Sequence, residues 1–224
     1  MDSDRKSYCL DETIETVIQV IESAIGARDP YTVYHQQCVA QFAYNLGYEL
    51  GLSPERLRAL RLAGTIHDLG KIAIPSAILT KPGRLTPLEF AIIKSHPQIG
   101  YDILKPIKFS GQVRQIVLQH HERINGTGYP YGLKGEEILL EARILGVADV
   151  MEAMCSHRPY RPPLGLEKAL EEISKHKGTL YESVVVEACW KLYEAGVSHQ
   201  GRFLASSMTP EFPSKYGVPI AYAY

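Results

Sequence analysis

The sequence predicts an all-α fold, a compact bundle of roughly eight or more helices. Two observations carry that expectation: apolar residues recur at three-to-four spacing along most of the chain, and no alternating strand pattern of useful length appears. A third agrees with them. Proline follows a hydroxyl-bearing residue in Ser53-Pro54-Glu55 and in Thr86-Pro87-Leu88-Glu89, an order that marks helix starts. No internal repeat is visible.

Residues 12–27 place Ile14, Val17, Ile18, Ile21 and Ile25 on one stripe, with Gly26 and Pro30 bracketing its end. That stripe either packs on the core or pairs with a second copy, so a dimer is one expected state. A second helix is predicted from about Thr32 to Leu50, with His35 in its first turn and Gly51 as its stop. The Ser53 cap opens a third, which runs through Leu57, Leu60, Leu62 and Ala63 to His67, with Gly70 as its terminator. Pro75, Pro82 and Gly83 mark loops with at most one short helix between them. The Thr86 cap opens a helix that reaches Ser95. Pro97 breaks it and starts another, which leaves His96 at the junction. Residues 111–121 form a helix ending on His120-His121, and the glycine- and proline-rich residues 122–135 are expected to be an exposed loop. Helices follow at about 141–156, 166–176 and 182–195. The predicted division is an N-terminal segment 1–11, one domain at 12–197, and a C-terminal tail at 198–224 with Pro210, Pro213 and Pro219.

At 45% hydrophobic residues the chain can bury a sizeable core, and a formal net charge of -1 gives no global basic field for long nucleic acid. A small anionic substrate stays compatible, because bound metals supply local positive charge. The longest apolar runs, such as that from Ile144 to Val150, are too short for a membrane span. The N-terminus, with Asp2, Asp4, Arg5 and Lys6, lacks a signal peptide's apolar stretch. Cys9, Cys38, Cys155 and Cys189 show neither metal-ligand pairing nor a disulfide framework, and they read as ordinary thiols of a reducing cytoplasm.

The residues that carry chemistry are His35, His67, Asp68, His96, His120, His121 and Asp149. Imidazoles and carboxylates together suit first-row metals. Five histidines and two aspartates exceed the needs of one tetrahedral ion, so two ions are expected. Two ions a few ångströms apart can activate a water between them for in-line attack on phosphorus. His67-Asp68 alone reads as a satisfied histidine beside a capping aspartate; the Leu69-Gly70-Lys71 that follows shifts the balance to function. Adjacent neutral or charged imidazoles at His120-His121 are costly to bury without partners. His35 and His96 count as ligands only as members of the set. Asp149 lies in an apolar run and needs a partner, which a metal or Arg143 would supply. Lys71 is either a solvated lysine or a phosphate contact. Arg158 and Arg161 are either a basic helix end or bidentate phosphate ligands. His157, His176 and His199 read as surface residues.

The series His67-Asp68-Leu69-Gly70-Lys71, Ser95-His96-Pro97, His120-His121-Glu122-Arg123-Ile124-Asn125-Gly126-Thr127-Gly128-Tyr129-Pro130, Val147-Ala148-Asp149 and Arg158-Pro159-Tyr160-Arg161 resembles the HD-GYP family. That family is a branch of the HD-domain metal-dependent phosphohydrolases. The resemblance covers about residues 12–195. It implies a helical HD-domain bundle with a metal site in its core and, as activity, hydrolysis of the bacterial signalling molecule cyclic di-GMP, first to pGpG and in many members onward to GMP. It implies a dinuclear centre on His35, His67, Asp68, His96, His120, His121 and Asp149, with Asp68 bridging and iron as the first metal, manganese, nickel or zinc being alternatives. Lys71 would touch the scissile phosphate, Arg158 and Arg161 would hold substrate, and the loop of Gly128, Tyr129 and Pro130 would shape the site and dock partner proteins such as GGDEF domains.

The chain departs from the family pattern in places. Asn125 stands where Asp is usual, which removes a charge but keeps a turn-forming side chain. Tyr31 stands where some members carry a Glu that binds a third metal, which favours two ions. Tyr34 and Cys38 flank His35 in place of a small and a basic residue, and Leu180-Tyr181-Glu182-Ser183 replaces Phe-Asp-Pro. Alternatives to cyclic di-GMP hydrolysis are hydrolysis of cyclic GMP-AMP or another nucleotide, and a non-catalytic module that binds metal or nucleotide and signals to a partner.

Overall fold

A computed structural model describes residues 13–14, 16–26, 30–156 and 163–198. The expected segment 1–11 and, apart from Ser198, the expected tail 198–224 lie outside the described residues, as do Arg158, Arg161, His157 and His199. Helix is the only extended regular structure among the described residues, with two isolated bridges, Asn125 to Lys134 and Lys177 to Tyr181, and no strand. The all-α expectation holds.

Helix α1 covers residues 16–26. It is followed by α2 (Pro30–Glu49), α3 (Pro54–Ile66), a 3-10 turn (Leu69–Ala73), α4 (Ser76–Leu79), α5 (Pro87–Ile93) and α6 (His96–Ile103). Then come α7 (Val113–Gln119), a second 3-10 turn (Gly135–Glu137), α8 (Leu140–Cys155), α9 (Leu166–Lys175) and α10 (Ser183–Ser198). Both predicted caps form. Ser53 Oγ accepts from Arg56 N at 3.4 Å. Thr86 Oγ1 accepts from Glu89 N at 3.3 Å while Glu89 Oε2 accepts from Thr86 N at 2.7 Å, a reciprocal capping box.

α2 packs on α3 and α8, α6 packs on the first 3-10 turn and α7, and α8 also carries α9. The core between them holds Phe42, Leu46, Leu60, Ile66, Ile116, Leu145 and Met151, all essentially inaccessible. Ile14 and, on α1, Ile18 are buried, Ile21 and Ile25 lean on the same core, and Val17 and Val20 face outwards. The stripe thus packs on the domain, with Val17 at its exposed margin. No helix among the described residues is long and apolar enough to cross a membrane.

Three expectations need correction. α3 ends at Ile66 with His67 as its C-cap, so Gly70 is not the terminator. Gly70 lies in the 3-10 turn, and its requirement is contact: a Cβ there would stand 2.0 Å from the His96 carbonyl oxygen and 2.7 Å from Gly100 N. The 122–135 segment is not simply exposed. Glu122 is buried, and its carboxylate accepts from Tyr131 N at 2.7 Å and Leu133 N at 3.0 Å. A buried acid that gathers backbone N–H groups pulls the loop inward. Finally, Arg143 pairs with Glu182 and is not the partner of Asp149.

Candidate metal centre

His35 comes from α2, His67 and Asp68 follow α3, His96 opens α6, His120 and His121 follow α7, and Asp149 comes from α8. Their side chains converge. His35, His67 and Asp149 form one group, His67, Asp68 and His120 a second, and His96, His120 and His121 a third, with donor atoms within 4.8 Å of one another in each. Asp68 lies between the two ends: its Oδ1 is 3.4 Å from His96 Nε2, and its Oδ2 is 3.6 Å from His67 Nε2 and 3.9 Å from His35 Nε2. At one end Asp149 Oδ1 is 3.2 Å from His35 Nε2. At the other, His96 Nε2 is 3.5 Å from His120 Nε2.

Local folding aims these rings. His67 Nδ1 lies 2.7 Å from Gly64 O, His96 Nδ1 2.8 Å from Ile93 O, and His120 Nδ1 2.6 Å from Val117 O. A carbonyl only accepts, so in each case Nδ1 carries the proton and donates. Each acceptor sits three residues back, in the last turn of a helix whose carbonyls lack intrahelical partners. One ring nitrogen thus finishes the helix end and the other, Nε2, is presented to the cluster.

The donor set fits a cation on an observation of its own. His67 Nε2 and Asp68 Oδ1 are buried without a hydrogen-bond partner. Orphaned buried groups of this kind cost about 1–3 kcal/mol each, and a metal ion bound between imidazole and carboxylate satisfies both.

Sequence reasoning missed Glu152 on α8. Its Oε2 accepts from His35 Nδ1, and Ser156 Oγ donates to its Oε1. It lies three positions after Asp149, on the same helix face, and that spacing of two acids in an apolar helix was the available signal. Glu152 is a positioning residue: it fixes the tautomer and plane of His35. Glu152→Gln keeps the shape and loses the charge. It is expected to weaken metal affinity about 10–100-fold, checked by competition against a chromophoric chelator.

Burial would lower the pKa of His35, but hydrogen bonds to Asp149 and Glu152 outweigh it and lift the value to about 9. His96, His120 and His121 go the other way, chiefly through burial, and the last two lie well below 6.5. Asp68 and Asp149 stay ionised against burial, the first held down mainly by Lys71, the second by His35. For the metal-free chain these shifts set opposed windows. The contribution of His35 is complete below 6.5 and is lost as pH rises from 6.5 to about 9. The neutral, buried His120 and His121 contribute above 6.5, and that is lost as pH falls below 6.5. Urea denaturation of the metal-free protein across about pH 5–9 should therefore peak near pH 6.5; a steady rise or fall over that range would contradict these assignments.

Lys71 Nζ lies 2.6 Å from Asp68 Oδ2 while its side chain stays 34% exposed. It reaches the cluster from the solvent side. The Tyr129 ring stacks on His121 at 4.7 Å between centroids and 30° between planes. Gly128 permits the approach, since a Cβ there would lie 2.4 Å from both Arg123 N and Glu122 Cα. Asn125 Oδ1 accepts from Thr127 N at 3.0 Å and Thr127 Oγ1 at 2.7 Å, so the amide closes the turn without the usual carboxylate. Cys38, Cys155 and Cys189 take part in no disulfide among the described residues, and burial pushes the Cys38 thiol up to about 12.

The HD domain family matches residues 19–185. The chain is 43% identical over 180 residues to a "Cyclic di-GMP phosphodiesterase" of Thermotoga maritima, which is 79% of this chain and 48% of that protein. It is 36% identical over 180 residues to "3'3'-cGAMP-specific phosphodiesterase 2" of Vibrio cholerae, 80% of this chain and 34% of that protein. The chain thus spans about half the length of the first relative and a third of the second. Among solved structures, an HDG"Y"P protein of Bdellovibrio bacteriovorus superposes with a TM-score of 0.62 at 22% identity, covering 84% of this chain and 63% of that one. That likeness speaks to the fold.

Proposed function

The chain belongs to the HD-domain family and carries the motif series of its HD-GYP branch, and from that premise we propose that it is a metal-dependent phosphodiesterase that opens cyclic di-GMP to pGpG and then cleaves pGpG to GMP. The observation that carries this reading is the buried cluster itself, in which His67 Nε2 and Asp68 Oδ1 have no other partner. In this reading His35, His67 and Asp149 would hold one divalent ion and His96, His120 and His121 another, with Asp68 available as a ligand between them. The catalytic unit is 12–197, and the chemistry takes place in the cytoplasm. Two ions, iron first, would supply positive charge and a water whose pKa falls towards about 7.

The chain's own residues do the rest. The hydrogen bonds from His67, His96 and His120 to backbone carbonyls fix the rings before any metal arrives, so no reorganisation is needed at binding. Lys71, paired with Asp68 at the solvent side, is placed to meet an equatorial phosphoryl oxygen. Arg158 and Arg161 belong to this reading as further phosphate ligands. In this reading the partly exposed Gly128-Tyr129-Pro130 loop, beside the exposed Tyr131, would dock a protein partner such as a GGDEF domain.

Turnover of cyclic di-GMP by protein purified anaerobically, with metal analysis and with or without chelator, tests the proposal. Chromatography of the products separates pGpG from GMP. Loss of all turnover at full metal occupancy would instead favour a non-catalytic binding module. The similarity to a cyclic GMP-AMP-specific enzyme makes 3'3'-cGAMP the second substrate to assay.

A further inference from the structure

We propose that Phe90 and Lys94 form a guanine subsite beside the metal cluster; this rests on the reading of the chain as a cyclic-dinucleotide phosphodiesterase. A series of rings leads outwards from the cluster. Tyr129 stacks on His121, and Phe90 follows Tyr129 at 6.5 Å between centroids and 81° between planes. Lys94 Nζ lies 5.1 Å from the Phe90 centroid and 5.9 Å from that of Tyr129. Phe90 lies on α5 and Lys94, four positions on, is the C-cap of that helix, so the two side chains are neighbours.

Core packing does not explain this ring. α5 buries none of its residues, and Phe90 is 46% exposed. The helix is fixed at the surface, by the Thr86–Glu89 capping box and by Lys81 Nζ at 2.7 Å from Glu89 Oε2. Phe90 and Lys94 are held in place while remaining open to solvent. An aromatic face held in that way next to a phosphoester-cleaving centre suits a flat base, because stacking needs only a π-surface.

Lys94 adds a choice of base. An ammonium group only donates. Guanine presents two acceptors, O6 and N7, along one edge, whereas adenine presents an acceptor and an N6 donor. A lysine beside the stacking ring therefore rewards guanine and leaves adenine's amino group facing another donor.

The test uses the metal-loaded protein and steady-state turnover of cyclic di-GMP and cyclic di-AMP. Phe90→Ala is expected to raise KM for cyclic di-GMP about tenfold, with metal content and melting temperature held, and Phe90→Trp to restore it. Lys94→Met is expected to lower the preference for cyclic di-GMP over cyclic di-AMP about tenfold. Leu88→Ala, on the same helix and 74% exposed, serves as the neutral control. The subsite is overturned if Phe90→Ala keeps its KM within twofold, if its metal content falls in step with turnover, or if Lys94→Met keeps the base preference. Should the wild-type protein hydrolyse neither these nucleotides nor 3'3'-cGAMP, the proposed function falls and takes the subsite with it. Turnover by the wild type that both variants match removes the subsite alone.

Discussion

Asp68→Asn is expected to lower turnover by about 10³-fold, since charge stabilisation of several kcal/mol is removed and each 1.36 kcal/mol is a factor of ten. The substitution keeps the volume and exchanges one anionic oxygen for an amide nitrogen. Whichever way the amide turns, one end of the cluster loses its shared acceptor, because Oδ1 faces His96 and Oδ2 faces His67 and His35. Lys71, 2.6 Å from Oδ2, loses its counter-ion as well. Breaking a buried ionic contact on one side leaves an uncompensated charge, so metal content should fall together with rate. Elemental analysis beside steady-state kinetics checks this. A variant with full metal and wild-type turnover would remove Asp68 from the centre of the mechanism.

Gly70→Ala is expected to cost about 3 kcal/mol of stability, the upper end for overpacking, or about 10 °C in melting temperature for a chain of this size. The added carbon would stand 2.0 Å from the His96 carbonyl oxygen and 2.7 Å from Gly100 N. Both are backbone atoms, so no rotamer change relieves the clash, and α6 has to move away from the 3-10 turn. His96 opens α6 and moves with it. The variant should lose metal affinity as well as stability, read by thermal denaturation and metal competition on the same preparation. An alanine variant of unchanged melting temperature would show that the turn yields more easily than its contacts indicate.

The helices and the seven clustered side chains were legible because their signals are local. Ser53-Pro54 and Thr86-Pro87 announce helix starts within a few residues, and the histidines and aspartates stand out where they occur. What the sequence hid depends on contacts between distant positions. Glu152 reads as an ordinary helix acid until α2 brings His35 against it across 117 residues of chain. Gly70 reads as a helix terminator until α6 lies across it. The loop at 122–135 reads as exposed because glycine and proline are turn formers, and nothing local shows that Glu122 folds beneath it and collects two backbone N–H groups. Arg143 was an equally good partner for Asp149 on paper; its pairing with Glu182 is decided by where α10 begins.

The imidazoles at 67, 96 and 120 each face two ways, the side-chain cluster on one side and the carbonyl three residues back on the other. A thiolate or carboxylate in any of these places has no proton to give that carbonyl. Drift towards sulfur-rich coordination would therefore unravel a helix terminus with every single replacement, and a new elemental preference demands paired changes. The scaffold holds its chemistry conservative by tying it to its own backbone.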